Sequence, residues 1–151
     1  EKKDKERLLA IAKASSSLPY VCPITYVDGR PMLDGGIVDS IPVLRAIEQG
    51  YERNVVVLTR NRGYRKSEKD IRVPRFIYTR YPRLRVVLSR RCQVYNQQLE
   101  MIERMEDEGR IIAIRPEQRV VVNRIEKDIR KLTSLYEEGY ACAEKVMGQF
   151  L

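Results

Sequence analysis

The chain has 151 residues, of which 43% are hydrophobic and 33% charged; this fits a globular protein with a sizeable core and excludes a disordered polymer. No apolar run is long enough to cross a bilayer, and no stretch reads as a secretory leader. Histidine is absent, which excludes a Ser-His-Asp triad completed within these residues, a Cys-His pair and a histidine-ligated metal. The three cysteines, Cys22, Cys92 and Cys142, form no C-x-x-C pair, so no metal or cofactor is expected. They read as reduced, mostly buried thiols of a cytoplasmic protein, with Cys22 in the core.

In chain order, residues 5–14 are predicted helical, with Leu8, Leu9 and Ala12 on one face. Ser15, Ser16 and Ser17 break that helix, and Pro19 forbids its resumption. Apolar residues 21–27 are followed by Asp28-Gly29 and then by 30–33. A two-residue Asp-Gly between such runs predicts a β-hairpin, because both turn positions need positive φ. Pro31 makes the second arm short or an edge. Asp34-Gly35-Gly36 follows at once. A helix then runs from Pro42 to Glu48, capped by Ser40 with Asp39 beside it and stopped at Gly50.

Asn54 opens the β-branched run 55–58, of the kind buried on both faces of a parallel sheet. Residues 59–72 read as a polar surface loop. The apolar positions Leu84, Leu88, Tyr95, Leu99, Ile102 and Met105 have helical spacing, which predicts one long amphipathic helix over 82–108, ended by Gly109. Residues 111–114 form a short strand that 119–122 extend beside. Asp128 caps a final helix lined on one side by Ile129, Leu132, Tyr136, Ala143 and Met147. The expected class is α/β: a partial, mainly parallel sheet with flanking helices, in residues 1–72, and a helical C-terminal extension in 73–151.

The net charge of +8 is unevenly spread. Residues 53–91, beginning at Arg53 and ending at Arg91, hold 13 Lys and Arg against two acids, Glu68 and Asp70. Three readings stand: a solvated face balancing acids elsewhere in the domain, attraction to anionic lipid, or nucleic-acid binding. Tyr64, Tyr78, Tyr81 and Tyr95 lie among the arginines and could stack on bases, but no known nucleic-acid-binding motif is present. Nucleic acid is therefore the least favoured partner.

Asp34-Gly35-Gly36 is the most informative triplet. An acid at a strand end points into the crevice where α/β proteins bind ligands, and the two glycines let the backbone turn sharply. On the triplet alone, a glycine-rich turn with a solvated acid is the plainer reading. Asp39 reads as a capping residue and Asp28 as a turn residue. Ser15, Ser16 and Ser17 read as a helix-ending turn, because no glycines flank them as a nucleophile requires.

The order Ala14-Ser15-x-x-x-Pro19, an apolar strand, Asp28-Gly29, Leu33-Asp34-Gly35-Gly36 and Pro42 resembles the patatin-like phospholipase family. The resemblance is dense over residues 8–58. Beyond Arg60, Leu58-Thr59-Arg60, Gly63-Tyr64 and Leu135-Tyr136-Glu137-Glu138-Gly139 resemble the C-terminal extension of a bacterial branch. Ser40 stands where that family usually has asparagine. The resemblance implies a C-terminal portion of a lipid acyl hydrolase in which Asp34 is the catalytic partner of a serine, supported by Gly35 and Gly36. It also implies that the G-x-S-x-G elbow and glycine-rich oxyanion loop lie upstream of Glu1, in an N-terminal half that covers this one. The substrate would be a lipid or other ester, and this chain alone would be inactive. The rival expectation is a basic module that binds nucleic acid or an acidic partner.

Overall fold

The computed structural model describes residues 2–67, 74, 76–122 and 126–148. The expected domain boundary at 72/73 and part of the 59–72 loop lie outside them, as do Glu68, Asp70 and three of the basic residues counted above. The elements are α1 (Lys2–Ser15), β1 (Thr25–Val27), β2 (Arg30–Met32), a 3₁₀ turn (Gly35–Ile37), α2 (Val43–Glu48), β3 (Asn54–Val57), α3 (Pro82–Asp107), β4 (Ile111–Ile114) and α4 (Ile129–Met147). They fall into two compact units, Glu1–Ile41 with Ser67–Tyr95, and Pro42–Lys66 with Asn96–Leu151. The first part of α3 belongs to the first unit and the remainder to the second.

In the first unit, α1 packs on the hairpin of β1 and β2, which pair antiparallel with Val27 opposite Arg30. Asp28 and Gly29 both take positive φ, 49° and 74°, as the turn requires. Arg7 of α1 reaches Asp28 at 2.9 Å. The serines end α1 as expected: the Ser16 hydroxyl donates to the Ala12 carbonyl and the Ser17 hydroxyl to that of Lys13. Ser17 Oγ also lies 2.8 Å from Thr25 Oγ1, tying the helix end to β1 in a buried hydroxyl pair. The predicted face of Leu8, Leu9 and Ala12 is exposed; Ala14, at the helix end, is the residue α1 buries. Cys22 is half-buried rather than core, and with Cys92 and Cys142 it is a free thiol. Leu88, only 1% exposed, is the most deeply buried apolar residue of this unit.

In the second unit, β3 and β4 pair parallel with Asn54 opposite Ile111, α2 packs on β3, and α4 packs on β4. Leu99, Ile102 and Met105 of α3 are buried here with Val56, Ile111 and Ala113, and Ile102 is 0% exposed. Gly109 takes φ +68° and ends α3; Gly50, at +90°, follows α2. Asp128 caps α4 by accepting from the Arg130 N–H.

The class is α/β with small sheets, but the sheet content is not mainly parallel: the described strands form one antiparallel pair and one parallel pair. Strand β3 is not buried on both faces. Val56 is buried, whereas Val55 and Val57 are 51% and 71% exposed, so one face of the pair is open. Residues 119–122 form no strand. Most of the predicted stripe of α4 also faces outward: Ile129, Leu132, Tyr136 and Met147 are exposed, and the helix instead buries Cys142, with Leu135, Val146 and, of the predicted stripe, Ala143 half-buried. Periodicity allows either stripe, because α4 is apolar on more than one side. Among the described residues, no helix is long and apolar enough to cross a membrane.

Candidate functional site

The hairpin delivers Asp34 to the surface at the end of its second arm. The Asp34 N–H donates to the Ser17 carbonyl at 3.0 Å, so the buried serine that ends α1 also fixes the start of the loop. Asp34 then caps the 3₁₀ turn: its Oδ1 accepts from the Gly36 N–H at 2.7 Å. Among the described residues, Oδ2 makes no hydrogen bond and the carboxylate has no ion-pair partner. Asp34 follows the second arm of the antiparallel hairpin, as the Asp28-Gly29 turn predicts.

Gly36 is held as closely as the acid. Its carbonyl accepts from Ser40 Oγ at 2.7 Å and from Arg91 Nε at 3.2 Å. A Cβ on Gly36 would stand 3.1 Å from Asp34 Oδ1, tighter than ordinary contact, so a side chain there must displace the carboxylate. Around Gly35 there is open space. The sequence-predicted trio Asp34, Gly35 and Gly36 is thus brought together.

Ser40 and Asp39 are not where capping would put them. The N-cap of α2 is Pro42, which offers no side-chain bond, and the Ser40 hydroxyl is turned back to the Gly36 carbonyl. The Asp39 N–H donates to the Gly35 carbonyl at 3.0 Å. Both residues therefore close the Asp34 loop rather than start the helix. Asp28 serves the hairpin turn and Arg7, as a turn residue should.

Asp34 stands at the wall of a cavity of about 310 Å³, at the small end of ligand-pocket sizes. Its apolar lining includes Ile24, Met32, Leu33 and Ile37 from the hairpin and turn. Tyr81 and Leu84 line it from the start of α3. The sequence offers Tyr81 only as a possible base-stacking ring, Arg91 only as part of the basic segment and Leu84 only as a helix position, and ties none of them to Asp34. The available signal was spacing: Leu84, Leu88 and Arg91 recur at i, i+4 and i+7, one face of a helix. Tyrosine pairs fasten the approach to that helix. The rings of Tyr20 and Tyr78 lie 5.7 Å apart, and the Tyr20 N–H donates to the Tyr78 hydroxyl at 2.9 Å. A hydrogen bond with Tyr26, first among its causes, raises the Tyr81 phenol above its ordinary pKa.

The basic segment is partly spent inside the second unit. Arg62 pairs with Asp107 at 2.7 Å and Glu106 at 3.2 Å, and Arg65 with Glu103 at 2.7 Å. Arg115 joins Glu106 and Glu103 from the other side. Glu103 also accepts from the Gly63 N–H at 2.9 Å. Its pKa is lowered to about 2, chiefly by the Arg65 hydrogen bond against the opposing effect of burial. Arg60 lies over the Tyr64 ring, 5.1 Å from its centre, a cation–π contact that occupies one of the tyrosines considered for base stacking. Among the described residues, no group of three or more His, Cys, Asp or Glu is placed to hold a metal ion.

No curated protein and no solved structure matches the chain. Residues 81–151 match a family model described as a domain of unknown function, DUF6363. Residues 1–47 match the model described as Patatin-like phospholipase. The patatin likeness is therefore confined to the N-terminal part of this chain, ending short of the residue 58 to which the motif pattern ran, and it includes Asp34, Gly35 and Gly36. A likeness to a lipid-hydrolase family over residues 1–47 is what the comparison supports.

Proposed function

We propose that this chain is the acid-bearing part of a lipid acyl hydrolase that cleaves carboxylic esters of phospholipids or related lipids through a Ser-Asp dyad. The observation that carries this reading is the placement of Asp34. Its carboxylate is fixed through one oxygen by the Gly36 N–H, open at the other, and set against an apolar cavity within the patatin-matched residues. The 151 residues contain no G-x-S-x-G, so the serine and the oxyanion donors come from a segment outside them.

In the reaction the serine hydroxyl attacks the ester carbonyl while Asp34 accepts its proton. The proton passes to the departing alcohol as the tetrahedral intermediate collapses to an acyl-serine. Water then attacks that ester, giving a proton to Asp34, which returns it to the serine oxygen as the free acid leaves. Holding Oδ1 on a backbone N–H fixes which oxygen faces the serine, so orientation is set before substrate arrives. The apolar cavity suits an acyl chain.

Asp34→Asn tests this in a polypeptide that joins the chain to its serine elbow. Hydrolysis of a short-chain ester should fall by about 10²- to 10⁴-fold, the usual loss for a general base. Asp28→Asn and Asp39→Asn are the controls, expected to stay within a few-fold because turns accept asparagine. A folded Asp34→Asn protein with full activity would remove the assignment.

The proposal includes attraction to anionic headgroups. Arg62, Arg65 and Arg91 are engaged within the chain, so that role falls to the exposed Arg80, Arg83 and Arg90. Flotation with anionic vesicles should exceed that with neutral ones and weaken as salt rises. Equal binding to both would end the membrane role, and stronger salt-sensitive binding to RNA would favour a nucleic-acid module.

A further inference from the structure

We infer that residues 78–91, most of them within the stretch matched by the domain of unknown function, are a working part of the Asp34 site: Tyr81 and Leu84 set which acyl group the cavity admits, and Arg91 positions the loop that presents the carboxylate. This rests on the ester-hydrolase reading and adds to it a role for a segment that the patatin match does not reach.

Three observations in one unit converge. Tyr81 and Leu84 line the cavity together with the hairpin residues, so its wall includes the start of α3. Leu88, one turn further, is 1% exposed and anchors that helix face. Arg91, the next turn on, donates from Nε to the Gly36 carbonyl, the far side of the peptide group sequence whose N–H holds Asp34 Oδ1. One helix face thus carries a wall, an anchor and a brace in succession. The Tyr20–Tyr78 pair fixes where this face begins.

The wall predicts chain-length selection. Enlarging Leu84 shortens the space for an acyl chain, and each methylene excluded from an apolar pocket costs roughly 10-fold or more in discrimination. The brace predicts a change in turnover. Without Arg91 the Gly36 carbonyl is held by Ser40 alone and the carboxylate loses its fixed aim, which lowers kcat more than it raises KM. Arg91 is a positioning residue, since it acts through Gly36.

The test uses the polypeptide joined to its serine elbow, with p-nitrophenyl butyrate and palmitate as probes. Leu84→Trp should lower the palmitate-to-butyrate ratio of kcat/KM by about 10-fold or more, and Leu84→Ala should raise it, an unchanged ratio there counting equally against the inference. Arg91→Ala should lower kcat for butyrate by about 10-fold with KM little changed, and Arg91→Lys, which keeps a donor, should recover part of the loss. Circular dichroism identifies any variant that fails to fold, and the Leu84→Ala arm decides if Leu84→Trp does. An unchanged ratio in a folded Leu84→Trp, or Arg91→Lys no better than Arg91→Ala, overturns the inference. Because Asp34→Asn is assayed beside them, full activity in that variant identifies a failure of the hydrolase reading instead.

Discussion

Asp34 and Glu103 each close a carboxylate onto a glycine N–H, Gly36 at 2.7 Å and Gly63 at 2.9 Å, and beyond that they differ in every respect. Glu103 sits among Arg65 and Arg115, only 15% of its side chain exposed, with its proton affinity driven down. A carboxylate so occupied has its oxygens committed to guanidinium partners and is a poor proton acceptor. Asp34 has one oxygen committed to the backbone and the other open at an apolar cavity. The comparison teaches that a conspicuous acid-base cluster need not be the reactive place. In this chain the dense network is structural, and the sparse site with one oxygen open is the candidate for chemistry.

Several variants sharpen the contrast, since changes in the second unit's network and core should move stability and leave the activity of folded molecules unchanged. The largest effect on stability is expected at Ile102, which is fully buried. Ile102→Ala should cost about 2–5 kcal/mol in denaturant unfolding, through lost burial and the cavity left behind. A cost below about 1 kcal/mol would mean that α3 is not packed as described.

Acid comes next. The folded-state pKa of Glu103 is about 2 against an ordinary 4.5, so its ion pairs add stability that is full above pH 4.5 and is lost as pH falls toward 2. With solvent screening allowed for, the contribution is on the order of 1–2 kcal/mol. Glu103→Gln should therefore flatten the fall in melting temperature across that window. An identical acid profile in the variant would show that the network contributes nothing.

The legible parts of the fold were those decided locally. The Asp28-Gly29 hairpin, the ends of α3 at Pro82 and Gly109, and the Asp128 cap each follow from a few neighbouring residues whose backbone preferences agree. Asp34 was legible as a motif for the same reason. What escaped the sequence was pairing at a distance. Arg62 and Arg65 meet acids about 40 residues away on α3, and nothing local distinguishes them from solvated arginines. Arg91 reaches Gly36 across 55 positions, and Ser40 donates to the Gly36 carbonyl instead of capping a helix end. Burial was the other weak point: a continuous β-branched run and helical spacing named the apolar residues of β3 and α4 but not which of their faces would be covered.

The central claim is that chemistry belongs to Asp34 and stability to Glu103, and one paired measurement addresses it. Asp34→Asn and Glu103→Gln are made in the same polypeptide, joined to its serine elbow, and each is assayed for melting temperature and for ester hydrolysis at a temperature where both are folded. Asp34→Asn should lose about 10²-fold or more in kcat with its melting temperature within a few degrees of the parent, whereas Glu103→Gln should melt lower and keep its activity within a few-fold. The contrary result is the exchange of these phenotypes: an active Asp34→Asn that has lost stability, or a stable Glu103→Gln that has lost its turnover.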